Sequence, residues 1–132
     1  MKTCLIVDDS SIIRKMSSFL LKKQGFEVIE AEDGLVAQTI LQQSALNSSV
    51  PDLIIMDWNM PNLTGIELLK WIRGDFQSQN PKQTKEIIAI ICTSEKNVEH
   101  IQQAFLAGAN EYITKPFTGE IIRNKLELLG LI

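Results

Sequence analysis

The chain has 132 residues, enough for one domain and short for two. Hydrophobic residues make up 45% and charged residues 22%, so a core can be buried without disulfide or metal cross-links. The net charge is −3, with no basic cluster beyond pairs such as Lys22-Lys23, which argues against a nucleic-acid or anionic-membrane surface.

The N-terminus MKTCLIVDDS meets two acids after a short apolar run, so this stretch is not expected to be a signal peptide. That run, Thr3–Val7, reads as the first strand. Ile12, Met16, Phe19/Leu20 and Lys23 recur at helical spacing, with Gly25 as a stop. Phe26–Ala31 reads as the second strand, and Val36, Ile40 and Leu41 mark the second helix. Leu53–Met56 is a third strand, apolar throughout, as when both faces are covered. Ile66, Leu69 and Ile72 mark a third helix ending near Gly74. The polar stretch Asp75–Glu86 (DFQSQNPKQTKE) reads as a surface loop leading to the fourth strand, Ile87–Cys92. Val98, Ile101, Phe105 and Ala107 mark the fourth helix, with Gly108 at its end. Glu111–Thr114 is the fifth strand, and Ile122, Leu126 and Leu129 mark the fifth helix.

Strands alternating with helices imply a parallel sheet covered on both faces, formed by one domain over residues 1–132. Cys4 and Cys92 lie in apolar runs and read as small buried hydrophobes of a reducing compartment. No apolar stretch approaches the roughly 20 residues of a membrane span, so a cytoplasmic location is expected.

Open α/β sheets carry their sites beyond the carboxyl ends of the strands. Strand one ends at Asp8-Asp9, strand three at Asp57, strand four at Thr93, and strand five runs into Lys115-Pro116. If the first and third strands are neighbours, three carboxylates share one rim. They cannot all stay ionised without a counter-charge, so one is protonated or a divalent cation sits among them. Aspartate oxygens suit Mg²⁺, Lys115 supplies a fixed cation and Thr93 a hydroxyl, a set suited to phosphoryl transfer. Singly, each residue has an ordinary use: Asp8 or Asp57 in a turn, Asp9 or Ser10 as a helix cap, Lys115 as a solvated charge.

The motifs LIVDDS, LIIMDWNMPNLTGIELL, ICTSE and YITKPF, with the D-x-x-M-P-x-x-x-G form from Asp57 to Gly65, resemble the receiver domains of two-component response regulators over nearly the whole chain. The resemblance implies a flavodoxin-like (CheY-like) doubly wound α/β fold of five parallel strands and five helices, in the strand order 2-1-3-4-5. It implies that Asp57 accepts a phosphoryl group from a histidine kinase. Asp9, Asp57 and the backbone carbonyl of Asn59 would hold Mg²⁺, with Asp8 joining directly or through water. Lys115 and Thr93 would bind the phosphoryl group, Thr93 and Tyr112 would form the switch, and the bond before Pro116 would be cis. Output would pass to a downstream protein at the surface of helix four, strand five and helix five, with a phosphatase as a further partner and a monomer as the working form.

Trp58, Asn59 and Glu95 resemble the single-domain chemotaxis branch of the family, where the latter two would reach an attacking water and tune dephosphorylation. A phosphorelay intermediate serving a histidine phosphotransfer protein is an alternative, and so is a constitutive, unphosphorylated interaction module. A haloacid-dehalogenase-type phosphatase fits less well, because Asp57 is followed by Trp58-Asn59 on a middle strand. A flavodoxin-like cofactor module would meet repulsion from Asp8-Asp9. The chain is therefore expected to catalyse only its own phosphorylation and dephosphorylation. His100 reads as a solvated residue of the fourth helix, and Trp71 as partly buried and without a function.

Overall fold

Strand β1 (Thr3–Val7) is buried along nearly its whole length, and β3 (Leu53–Asp57) along all of it. Such strands need cover on both sides, which helices crossing over a parallel sheet supply. The computed structural model, which describes residues 1–83, 85–94 and 97–132, has that arrangement. β2 (Glu27–Ala31), β4 (Ile88–Thr93) and β5 (Glu111–Thr114) complete one sheet of order β2-β1-β3-β4-β5, with every pair parallel. The helices are α1 (Ser11–Lys23), α2 (Gly34–Leu46), α3 (Gly65–Trp71), α4 (Val98–Leu106) and α5 (Gly119–Leu128). The expected fold and strand order are those observed, with strand ends within one residue of their expected places.

Alternation along the strands makes two cores. Leu5, Val7, Ile54, Met56 and Ile91 pack with Leu41 of α2, Leu68 and Leu69 of α3 and Ala104 of α4. Cys4, Ile6, Leu53, Ile55 and Ile90 pack with Leu21 of α1 and Ile122 and Leu126 of α5. Each large side chain buried in this way contributes about 1.5–3 kcal/mol of transfer free energy. Cys4 and Cys92 are free and buried as expected, and burial pushes the Cys92 thiol up to about 12.

The helices start where side chains can bond their first free N–H groups. Ser10, Asp33, Thr64, Asn97 and Thr118 each accept from the backbone three residues on. At α3 the bond is reciprocal: the Thr64 N–H donates to Glu67 at 3.0 Å, and the Glu67 N–H donates to Thr64 at 3.2 Å.

One expectation needs correction. Gly74 does not end the third helix. The chain runs on through a π-helical turn, Ile72–Phe76, into a last helical turn, Gln77–Gln79, so the first part of the expected loop is helical. A π-turn holds one more residue than an α-turn, and here both Ile72 and Phe76 point into the core. Phe76 lies against Trp71, ring centroids 5.2 Å apart, so Trp71 is partly buried as expected.

In α1 the helix is observed as expected. Its apolar spacing is helical, but Ile12, Met16 and Phe19 are exposed, while Ser17, Ser18 and Leu21 face the sheet. Small serines let the helix approach the sheet closely, and Leu21 supplies the buried apolar contact. Among the described residues, no helix is long and apolar enough to cross a membrane.

Candidate functional site

Strand register assembles the site. Val7 pairs with Met56 across β1 and β3, so the next residues, Asp8 and Asp57, emerge side by side at the carboxyl ends. Asp9 follows, exposed, before Ser10 caps α1. Carboxylate oxygens of Asp8, Asp9 and Asp57 lie within 4.8 Å of one another.

Asp8 is fixed from several directions. The Ser10 N–H donates to its Oδ1 at 2.9 Å. Arg14 Nη1 donates to its main-chain oxygen at 2.7 Å, while Arg14 Nε pairs with Glu30 at 3.1 Å. Arg14 thus anchors the acidic loop from the second turn of α1. Nothing in the sequence sets it apart from its neighbour Lys15, which also pairs with Glu30.

Lys115 enters from the loop after β5, its bond to Pro116 being cis as expected. Its N–H donates to the Thr93 carbonyl at 2.9 Å. Its Nζ lies 2.7 Å from Asp8 Oδ2 and 3.0 Å from Asp57 Oδ2. Burial pushes the Asp57 carboxyl above its ordinary value, and the charges of Asp8 and Asp9 push the same way against the pull of Lys115. Burial alone would lower the Lys115 ammonium, but its bonds to Asp8 and Asp57 outweigh that and raise it, so it stays charged.

Gly65 is required by close approach. Its N–H donates to the Trp58 carbonyl at 2.9 Å, and a Cβ at this position would run into the Asp57 carbonyl oxygen. The glycine therefore lets the N-terminus of α3 lie directly against the end of β3.

Thr93 is fully buried at the end of β4, one residue past the Cys92 that pairs with Asp57. Tyr112 pairs with Ile91 in the β4–β5 register, and its ring is buried in the core under α2, α3 and α4. Asn59 is exposed in the loop after β3. Glu95 lies outside the described residues. His100 departs from the sequence expectation: it is partly buried, its ring edge-on to Trp58 with centroids 4.8 Å apart.

Three carboxylates face one ammonium here, leaving surplus negative charge at a partly buried rim. The donors are all oxygen, which suits a hard divalent cation. The residues present fit such an ion.

The family model described as a response regulator receiver domain matches residues 4–127. The chain belongs to the response-regulator receiver family. A receiver is the phosphorylation-dependent switch of a two-component system, a class that works through histidine kinases and downstream proteins. Among relatives, this receiver is 38% identical to the chemotaxis protein CheY1 of Helicobacter pylori over 126 residues, 95% of this chain and 94% of that one. It is 40% identical to the chemotaxis protein CheY-3 of Vibrio cholerae over 124 residues, 93% of this chain and 87% of that one. A solved structure of the chemotaxis response regulator CheY4 of Vibrio cholerae superposes with a TM-score of 0.82 at 34% identity, covering 98% of both chains.

Proposed function

We propose that Asp57 is the phosphoacceptor of this receiver. The observation that carries the reading is the placement of Lys115 Nζ between the Asp8 and Asp57 carboxylates, at 2.7 and 3.0 Å. A fixed cation beside the nucleophile is where the charge of an incoming phosphoryl group needs compensation.

In the proposed step, a carboxylate oxygen of Asp57 attacks the phosphorus of a phosphohistidine on a kinase. The P–N bond breaks and its electron pair leaves with the imidazole. Lys115 then pairs with the phosphoryl oxygens, and Asp8 retains its bonds from Ser10 and Lys115. Mg²⁺, held by Asp9, Asp57 and the Asn59 carbonyl with Asp8 directly or through water, would supply charge neutralisation and orientation. The Thr93 hydroxyl would turn to a phosphoryl oxygen, and Tyr112 would follow on β5. Hydrolysis reverses the charge change: water attacks phosphorus, the P–O bond to Asp57 breaks and the carboxylate returns. Asn59 and Glu95 would orient that water. The chain on this reading has no external substrate to turn over.

Output on this reading is by binding at the α4, β5 and α5 surface, in a chemotaxis-like role, by one cytoplasmic, monomeric receiver domain spanning residues 1–132. The identity of 36–40% to chemotaxis proteins over nearly the whole chain supports it. Trp58, next to the acceptor, is the natural probe. Tryptophan emission should change saturably with Mg²⁺ and again with acetyl phosphate, and the second change should vanish in Asp57→Ala. No response to acetyl phosphate or beryllofluoride would favour a constitutive interaction module.

A further inference from the structure

Resting on the reading of Asp57 as acceptor, we infer that His100 is a positioning residue that couples the acceptor loop to α4 through its ring contact with Trp58. Trp58 directly follows Asp57, and its carbonyl is fixed by the Gly65 N–H. A shift of the acceptor therefore reaches the indole through a single peptide unit. The imidazole of His100 meets that indole edge-on, planes at 87° and centroids 4.8 Å apart, a favoured geometry for aromatic pairs.

His100 sits in the first turn of α4, its N–H bonded to the capping Asn97 side chain at 3.0 Å. That helix is lightly anchored elsewhere. Ala104 is its one fully buried residue and Ile101 is partly buried, whereas Val98, Phe105 and Leu106 face solvent. Among the described residues, the ring pair is thus a main hold on its N-terminal end. Nδ1 of His100 is buried and has no hydrogen-bond partner among the described residues, so ring packing rather than a hydrogen bond carries the contact. A phenyl ring should accordingly serve in its place.

The test is deuterium exchange at the amides of α4, with and without acetyl phosphate and Mg²⁺, alongside mass spectrometry of phosphoryl incorporation. In His100→Ala, incorporation should stay within about twofold of the unaltered chain, while the phosphorylation-dependent difference in α4 exchange falls at least about fivefold. His100→Phe should retain most of that difference, which a purely polar role would not allow. Trp58→Ala, cut from the other side of the contact, should reproduce the loss and serves if His100→Ala folds poorly. A full α4 response in His100→Ala, or equal losses in the Ala and Phe variants, would overturn the inference while leaving Asp57 as acceptor. Absence of phosphoryl incorporation in the unaltered chain would instead overturn the reading of the site, and the inference with it.

Discussion

Lys115 and Asp57 stand 3.0 Å apart, ammonium against carboxylate, although β4 separates the strands that carry them. The lysine reaches over the end of β4 and closes the rim above Thr93, whose carbonyl holds the Lys115 backbone.

Lys115→Ala removes the one ammonium that pairs with both Asp8 and Asp57 among the described residues. Stability in urea should fall by about 1–3 kcal/mol without divalent ions, less than for a fully buried pair because the site is partly open. Millimolar Mg²⁺ should restore more stability to the variant than to the unaltered chain, since the ion replaces the missing charge. Phosphoryl uptake from acetyl phosphate should slow by at least about tenfold. Equal Mg²⁺ effects on both proteins would count against a shared role for the cation and the lysine.

Gly65→Ala places a methyl against the Asp57 carbonyl. Either α3 shifts or the end of β3 bends, at a cost of about 1–3 kcal/mol. The helix propensity of alanine, better than glycine by about 1 kcal/mol, works in the opposite direction. A net loss in thermal or urea unfolding shows that close approach decides the position, and a net gain refutes it.

Asp52 offers a pH test away from the rim. Burial pushes its carboxyl up, but the Thr3 N–H at 2.8 Å and Lys85 at 3.2 Å, with help from the charge of Lys2, hold it below the ordinary carboxylate range. A carboxyl depressed in the folded state contributes stability above its unfolded value, and that contribution is lost as pH falls through the folded value. Asp52→Asn should therefore cost about 0.5–1.5 kcal/mol near neutral pH. The gap should be flat above about pH 5 and close below about pH 4. A gap that persists unchanged to pH 3 would assign the effect to packing instead.

The two residues proposed to orient water are read by the lifetime of the acyl phosphate. Asn59→Ala and Glu95→Ala should each lengthen it by several-fold after the donor is removed, with phosphoryl uptake little changed. Unchanged lifetimes in both variants would end the idea of a fast, chemotaxis-like timer.

Much of the fold and of the site is legible in the sequence, for physical reasons. Strands covered on both faces must be apolar throughout, so β3 and β4 stand out from their surroundings. Residues ending parallel strands share one rim, so Asp8, Asp57, Thr93 and Lys115 could be grouped from their places alone. What was hidden depends on which side of a helix the fold covers. Ile12, Met16 and Phe19 carry a sound helical period and still face solvent, because serines and Leu21 make the closer fit. Phe76 is hidden in the sequence because one extra residue in a turn breaks the 3.6 period without a local signal. His100 reads as solvated in the sequence because its neighbour, Trp58, comes from a distant part of the chain.

That extra residue has a further consequence. A helix is a phase counter, each residue advancing the side chain by about 100°. The π-turn at Ile72–Phe76 resets the count after the Thr64–Glu67 cap and the Gly65 contact have already fixed α3 against the acceptor strand. The acidic rim and the stretch after Phe76 thus lie on opposite sides of that reset.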